Sequence, residues 1–374
     1  MKILFIRSNP VNPDSRVEKE VKALLDNGHE VTILAWDRES NHNIVKSNIM
    51  IGKHMIYIYR LGIKSEFSAG FKKNLKPLIK FQFGIISFIR KHRNDFDVIH
   101  SCDFDTAFSS YFFKKKNVKF IYDIFDYYVD SFSVPNYLKY AIEKIDSYII
   151  NKADYVIICT DQRKKQLKYA NPKKLCVIHN TPQYCEFKKN DNFDVSSEKI
   201  KIVYVGILSY GRNILEMCDF VSNNSEYELH IGGFGILENK VKNFSDSNDN
   251  IKYYGKLSYE MTLELESKCD IITAFYDPKI RNHKFAAPNK FYEALMLGKP
   301  VVMALDTGMS DIVEKYEIGA VVPFDKPELG FQILCSKKKD WDTISTKEKD
   351  LYKKEYSWEK MEKRLVSIYD ELIK

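Results

Sequence analysis

No apolar run in this chain approaches the roughly 18–20 residues that a membrane-spanning helix needs, so none is expected to cross a bilayer. No C-x-x-C pair occurs. The seven cysteines, an odd number, favour reduced thiols in a cytosolic protein over a disulfide frame. No His/Cys cluster has metal-site spacing, and no metal or other cofactor is expected. Convincing Ser–His–Asp and Cys–His sets are missing too, as are internal repeats and low-complexity tracts. No motif for nucleic-acid recognition is found, so nucleic acid is not an expected partner. The opening Met1-Lys2-Ile3-Leu4-Phe5-Ile6-Arg7 is too short and too soon polar for a signal peptide, and reads as a first buried strand.

Acids are absent from one long stretch. From Phe67 to Arg93 the chain carries Lys72, Lys73, Lys76, Lys80, Arg90, Lys91 and Arg93 with no Asp or Glu among them. Leu75, Leu78, Ile79, Phe81, Phe83, Ile85, Ile86, Phe88 and Ile89 are interleaved with these cations. That pattern suits a helix lying on anionic lipid, and equally an α/β helix with a solvated basic face. Lys114, Lys115 and Lys116 add a second basic spot to a chain of net charge +7.

At 374 residues the chain exceeds what one core usually serves, so two domains are expected. Hydrophobic content of 44% and charged content of 29% are those of a globular protein. Strand-like runs at Ile3–Ile6, Glu30–Ala35, Val98–His100, Lys119–Tyr122, Tyr155–Cys159 and Leu175–Ile178 alternate with helical segments, which predicts a parallel α/β sheet. A turn signal at Asn180-Thr181-Pro182 and a polar stretch at Lys188–Lys199 precede a second series. That series restarts at Lys201-Ile202-Val203-Tyr204-Val205-Gly206 and runs through Glu228–Ile231, Ile251–Tyr254, Ile271–Ala274 and Val301–Ala304. At the end, Trp358, Met361, Leu365, Ile368 and Leu372 form the apolar stripe of an amphipathic helix.

The most informative stretch is Pro288-Asn289-Lys290-Phe291-Tyr292-Glu293-Ala294-Leu295-Met296-Leu297-Gly298-Lys299-Pro300-Val301-Val302. It reads as a helix start, a Gly stop and a buried strand. Orphan backbone donors at such a start attract phosphate, and Lys290 adds charge. Glu293 follows three residues later on the same face, where it can accept two hydrogen bonds from a ribose diol. The pattern also fits an ordinary helix–Gly–strand joint.

These words resemble the nucleotide-sugar motif of GT-B glycosyltransferases, above all retaining family four. That family usually carries a Glu-x7-Glu pair before "GxPVV". Here the second Glu is Glu293 and Phe285 stands at the first position, as in the branch with Pro-[Ser/Asn]-Lys-x-x-Glu. Arg212, which follows Val205-Gly206, matches the Arg that pairs with the motif Lys, so the resemblance implies that Arg212 and Lys290 neutralise a leaving diphosphate. Asn289 and Glu293 fall in the donor site by the same likeness. His230-Ile231-Gly232-Gly233-Phe234-Gly235 and Tyr253-Tyr254-Gly255-Lys256-Leu257-Ser258 resemble segments that wall the donor base, with Gly206, Gly233, Lys256 and Leu257 as contacts.

In the first half, Asp14-Ser15-Arg16-Val17 and Gly28-His29-Glu30-Val31 match a common opening, although Asp14 reads equally as a helix N-cap. Asp97-Val98-Ile99-His100-Ser101-Cys102-Asp103 and Tyr122-Asp123-Ile124-Phe125-Asp126 match "DVIHAHD" and "YDxHE", with Cys102 and Phe125 in place of two His. Asp103 and Asp126 remain as candidates for acceptor or transition-state contact, or as helix caps.

The resemblance implies two doubly wound Rossmann-like domains facing a cleft: an acceptor domain over 1–185, a linker over 186–199 and a donor domain over 200–355. Residues 356–374 would form a helix crossing back to the first domain. It implies front-side transfer with retention from a nucleoside diphosphate sugar, UDP favoured, to a saccharide acceptor. A lipid-linked acceptor in surface polysaccharide assembly, and peripheral attachment through Phe67–Arg93, fit the basic first half. A nucleotide-sugar 2-epimerase and an inert GT-B partner subunit are the alternatives. Intact Arg212, Lys290 and Glu293 speak against an inert subunit.

Overall fold

The computed structural model describes residues 1–66, 70–131, 134–184, 192, 193, 195 and 198–373. The start of the acid-free stretch at Phe67, the side chain of Lys72 and most of the expected linker lie outside them. Two compact units result, Met1–His179 with Met361–Lys374, and Asn180–Lys360.

In the first unit, β1 (Lys2–Arg7), α1 (Ser15–Asp26), β2 (Glu30–Asp37), β3 (Val45–Ile51) and β4 (His54–Gly62) are followed by α2 (Gly70–Lys91) and β5 (Val98–Cys102). Then come α3 (Phe104–Phe113), β6 (Lys119–Ile124), α4 (Tyr128–Ser131), α5 (Asn136–Lys152), β7 (Tyr155–Ile158) and β8 (Leu175–Val177). The strand order is β3-β4-β2-β1-β5-β6-β7-β8, parallel except for β3 against β4. The expected strands are present, and the β3–β4 hairpin extends the sheet beyond them.

The helix α1 starts where its chemistry dictates. Asp14 accepts from the Val17 N–H at 3.2 Å, and Glu18 accepts from the Asp14 N–H at 3.0 Å. This reciprocal cap confirms the N-cap reading of Asp14. One face of the sheet is closed by α2, α3 and α5, whose Phe81, Ile85, Phe88, Ala107, Ile149 and Ile150 join Leu4, Ile6, Ile99 and Phe120 in one core.

The second unit contains β9 (Ile200–Ile207), α6 (Ile214–Ser222), β10 (Tyr227–Phe234), α7 (Glu238–Ser247), β11 (Ile251–Tyr253), α8 (Tyr259–Lys268) and β12 (Ile271–Ala274). It continues with α9 (Asn289–Leu297), β13 (Val301–Ala304), α10 (Ser310–Tyr316), β14 (Gly319–Val322), α11 (Glu328–Ser336) and α12 (Trp341–Leu351). All pairings in its sheet, ordered β11-β10-β9-β12-β13-β14, are parallel. The last helix, α13 (Trp358–Ile373), buries Met361, Leu365, Ile368 and Tyr369. Tyr369 is hydrogen-bonded to His100 at 2.7 Å, and Arg364 donates to the Val177 carbonyl at 3.0 Å. Most of this helix is therefore part of the first unit. Among the described residues no helix is long and apolar enough to cross a membrane.

Candidate active site

In an open parallel sheet, ligands bind beyond the carboxyl ends of the strands, and here those ends carry glycine. Gly206 and Gly233 are register partners in β9 and β10, at φ of +155° and +138°. Their backbones lie so close that a β-carbon on Gly233 would stand 1.8 Å from the Gly206 carbonyl oxygen. A β-carbon on Gly206 would lie 2.8 Å from the Lys290 Nζ. Gly206 thus leaves open the space that the Lys290 ammonium occupies.

The same ammonium lies 4.7 Å from the ring centre of Tyr204. The Arg212 guanidinium stacks 3.6 Å above the ring of Tyr276, which follows β12. Both cations act on the Tyr204 phenol, whose pKa burial raises and whose hydroxyl donates to the Ile207 carbonyl at 2.8 Å. The structure therefore brings Gly206, Gly233, Arg212 and Lys290 together at one edge.

Lys290 and Glu293 are the second and fifth residues of α9, whose first turn has no acid and whose N-cap, Pro288, gives no side-chain cap. The Phe291 N–H donates to the Pro288 carbonyl at 3.0 Å, so one of the helix's first donors is met by backbone. Burial works against the Lys290 ammonium, but Tyr204, Tyr276, Glu293 and Glu266 outweigh it and hold its pKa above the usual lysine value. Glu266 is buried on α8, with Oε2 lacking any hydrogen-bond partner. Burial first, then repulsion by Glu293, pushes its pKa well above the carboxylate range. Glu293 and Glu266 both act on the Lys290 ammonium. Asn289 is exposed and accepts from the Asn180 side chain at 2.9 Å. Lys256 is exposed, 5.2 Å from the ring centre of Phe234, and Leu257 packs over Gly232.

In the first unit, Asp103 is fully engaged. Its Oδ2 takes a bond of 2.6 Å from Arg7, and its Oδ1 accepts from the N–H groups of Phe125 and Asp126 at 2.8 and 3.0 Å. It does not cap α3 with its side chain. Its geometry is that of a pin holding the loop after β6. Asp126 on that loop is exposed, with one oxygen 2.7 Å from the Arg163 guanidinium. Phe125, where the likeness called for His, lies between the guanidinium groups of Arg7 and Arg16, at 4.3 and 3.9 Å from its ring centre. Such stacking on a desolvated ring stabilises the pair by about 2 kcal/mol or less. No imidazole is needed to order the loop.

Beneath it, Glu20, His100 and Asp123 present ligand-type atoms within 4.8 Å of one another, a cluster that the sequence spacing does not show. Arg16 bonds both acids, at 2.9 Å to Glu20 and 2.7 Å to Asp123, so a guanidinium already supplies the cationic charge there. Burial, then repulsion by Asp123, pushes the Glu20 pKa up to about 7. A folded-state pKa raised above 4.5 means that the folded protein binds more protons than the unfolded chain between those values. The contribution of Glu20 is full below pH 4.5 and is lost as pH rises through about 7. Glu20→Gln should flatten the pH dependence of chemical unfolding across that window. An unchanged profile would assign it to other groups.

Residues 15–181 match the model of Glycosyltransferase Family 4. Over the whole chain the structure is similar to sucrose-phosphate synthase from Thermosynechococcus elongatus, with a TM-score of 0.79 at 15% identity, covering 100% of this chain and 99% of that one. The fold is GT-B. HepE from Anabaena, solved in complex with UDP, is similar to this GT-B chain with a TM-score of 0.68 at 14% identity, covering 99% of this chain and 100% of that one. S. aureus TarM, solved with fondaparinux, alpha-GlcNAc-glycerol and UDP, gives a TM-score of 0.63 at 12% identity, covering 98% and 99% of the two chains. No curated protein matches the sequence. Residues 15–181 of this GT-B chain are thus similar to a glycosyltransferase domain.

Sequence reasoning missed Tyr204, Tyr276 and Glu266. An aromatic residue at or just past a strand's carboxyl end, in Tyr204-Val205-Gly206 and Phe275-Tyr276, is the signal that could have found the first two. Glu266 left no signal, because its neighbours come from another helix.

Proposed function

We propose that this chain transfers a sugar, with retention, from a UDP-sugar to a saccharide acceptor carried on a lipid, in surface polysaccharide or glycoconjugate assembly. One observation carries the reading: the Lys290 ammonium, from the first turn of α9, is seated over Gly206 and shares the Tyr204 phenol with Arg212. Breaking a sugar–phosphate bond leaves a diphosphate and an oxocarbenium-like sugar. Two cations and the positive end of α9 stabilise the first of these as it departs. Glu293 receives the ribose diol, and the backbone near Lys256 and Leu257 reads the base. Asn289 lines the opening. With front-side attack the acceptor enters on the face the leaving group vacates, and no enzymic nucleophile is required. Asp126 is the exposed acid for the acceptor side, and Asp103 holds its loop.

The UDP bound in the HepE and TarM structures supports the choice of nucleotide. On the reading of α2 as a basic surface, the first unit contacts anionic lipid where such an acceptor resides. Glu293→Gln tests the donor site directly. A ribose contact acts in ground and transition states alike, so UDP affinity should fall and donor KM rise with a smaller change in kcat. Unchanged UDP binding would make Glu293 a structural helix residue.

A further inference from the structure

The core of the first unit uses only one side of α2. Phe81, Ile85, Phe88 and Ile89 point inward, while Leu75, Lys76, Ile79, Lys80, Phe83 and Arg90 are exposed. Phe83, 67% exposed, is the most open of the apolar ones. Helices α3 and α5 close the same sheet face, and their outer sides continue the pattern. Arg90 lies 5.1 Å from the ring centre of Phe113 at the end of α3, and exposed Phe112 stacks on Tyr148 of α5 at 6.1 Å and 1°. Along α5 the outward residues are Tyr137, Tyr140, Lys144 and Tyr148, with Tyr137 79% exposed. Lys144 sits 4.5 Å from the ring centre of Tyr140, and Lys152 lies 6.0 Å from that of Tyr148.

We infer that α2, α3 and α5 together form one aromatic and basic platform that docks on an anionic lipid surface, with Phe83, Phe112, Phe113 and Tyr148 seated at headgroup depth. None of the outward residues named here is acidic, which favours an anionic occupant over another protein face of mixed charge. Aromatic rings beside Lys and Arg are the chemistry of the membrane–water boundary. The inference rests on the reading of α2 as a lipid contact, and extends it to two helices that the sequence did not mark.

Full-length protein is titrated with vesicles of equal parts phosphatidylglycerol and phosphatidylcholine, and circular dichroism checks the fold of each variant. Replacing Lys76, Lys80 and Arg90 with Gln should weaken binding roughly 100-fold at low salt, about 1 kcal/mol for each charge near the surface. Separately, Phe112→Ser with Tyr148→Ser should weaken it about tenfold or more, and that loss should persist at high salt, where screening has removed the charge contribution. If the serine pair binds like wild type while the Gln triple does not, α2 alone is the contact and the platform is overturned. If wild-type protein binds no anionic vesicles at low salt, the lipid reading of α2 fails with it. If the serine pair instead dissociates a dimer in sedimentation, the face is a self-association surface and the inference is equally overturned.

Discussion

Arg212→Ala and Lys290→Ala should each lower turnover on a UDP-sugar roughly 100–1000-fold, the usual cost of removing one preorganised charge from a developing anion. The loss should fall mainly on kcat, because the leaving diphosphate gains charge only as the bond breaks. Neither side chain is part of a core. Arg212 stacks on Tyr276 and is half-buried, and Lys290 lies over Gly206 with only part of its surface covered. Thermal unfolding should therefore remain cooperative in both variants. Wild-type turnover in either would remove that residue from the mechanism.

The second large effect is on stability, and it separates two glycines that look alike in sequence. Gly233→Ala places a methyl 1.8 Å from the Gly206 carbonyl oxygen and 2.9 Å from its carbon, backbone atoms fixed by the parallel ladder. Relief requires β9 and β10 to separate, so the variant should lose more than about 3 kcal/mol, at the severe end of single substitutions. Gly206→Ala meets only the far end of the Lys290 side chain, at 2.8 Å. Lys290 can swing away, leaving a strained φ that costs on the order of 1–3 kcal/mol. Activity should fall further than stability does, because the ammonium has moved. Chemical denaturation monitored by circular dichroism, set beside turnover, checks both. Equal destabilisation by the two substitutions would contradict the account of their packing.

Both sheets were legible because strands buried on two faces read as short apolar runs between helical segments. The hairpin strands β3 and β4 were not, since Val45–Ile51 lies at the sheet edge with Met50 exposed, and His54–Gly62 beside it leaves Met55 and Tyr57 exposed. Nor was β14, whose four residues Gly319–Val322 are too few to show a period. The acid-free stretch was visible, but not its division into inward Phe81 and outward Phe83, which depends on where the sheet lies.

At the site, local spacing placed the candidates Lys290 and Glu293 on one helix turn, where the structure has them. Arg212 was marked by the resemblance, which places an Arg after a strand and glycine. What neither could find is contact between distant residues. Phe125 read as a lost imidazole, yet it lies between Arg7 and Arg16, brought to it from β1 and α1. Asp103 read as a candidate for acceptor or transition-state contact or as a helix cap, and in the fold Arg7 and two N–H groups of another loop take its oxygens. Loop-to-loop bonds of this kind carry no period and no fixed separation, so only the fold reveals them.

The central claim, that the edge formed by Gly206, Arg212, Lys290 and Glu293 is a nucleotide-sugar site, is tested most directly by titrating UDP into the full-length protein in a calorimeter. The account predicts saturable one-to-one binding that weakens at least tenfold in Lys290→Ala, with the thermal transition intact. Absence of binding at millimolar UDP, or equal affinity in wild type and Lys290→Ala, would contradict it.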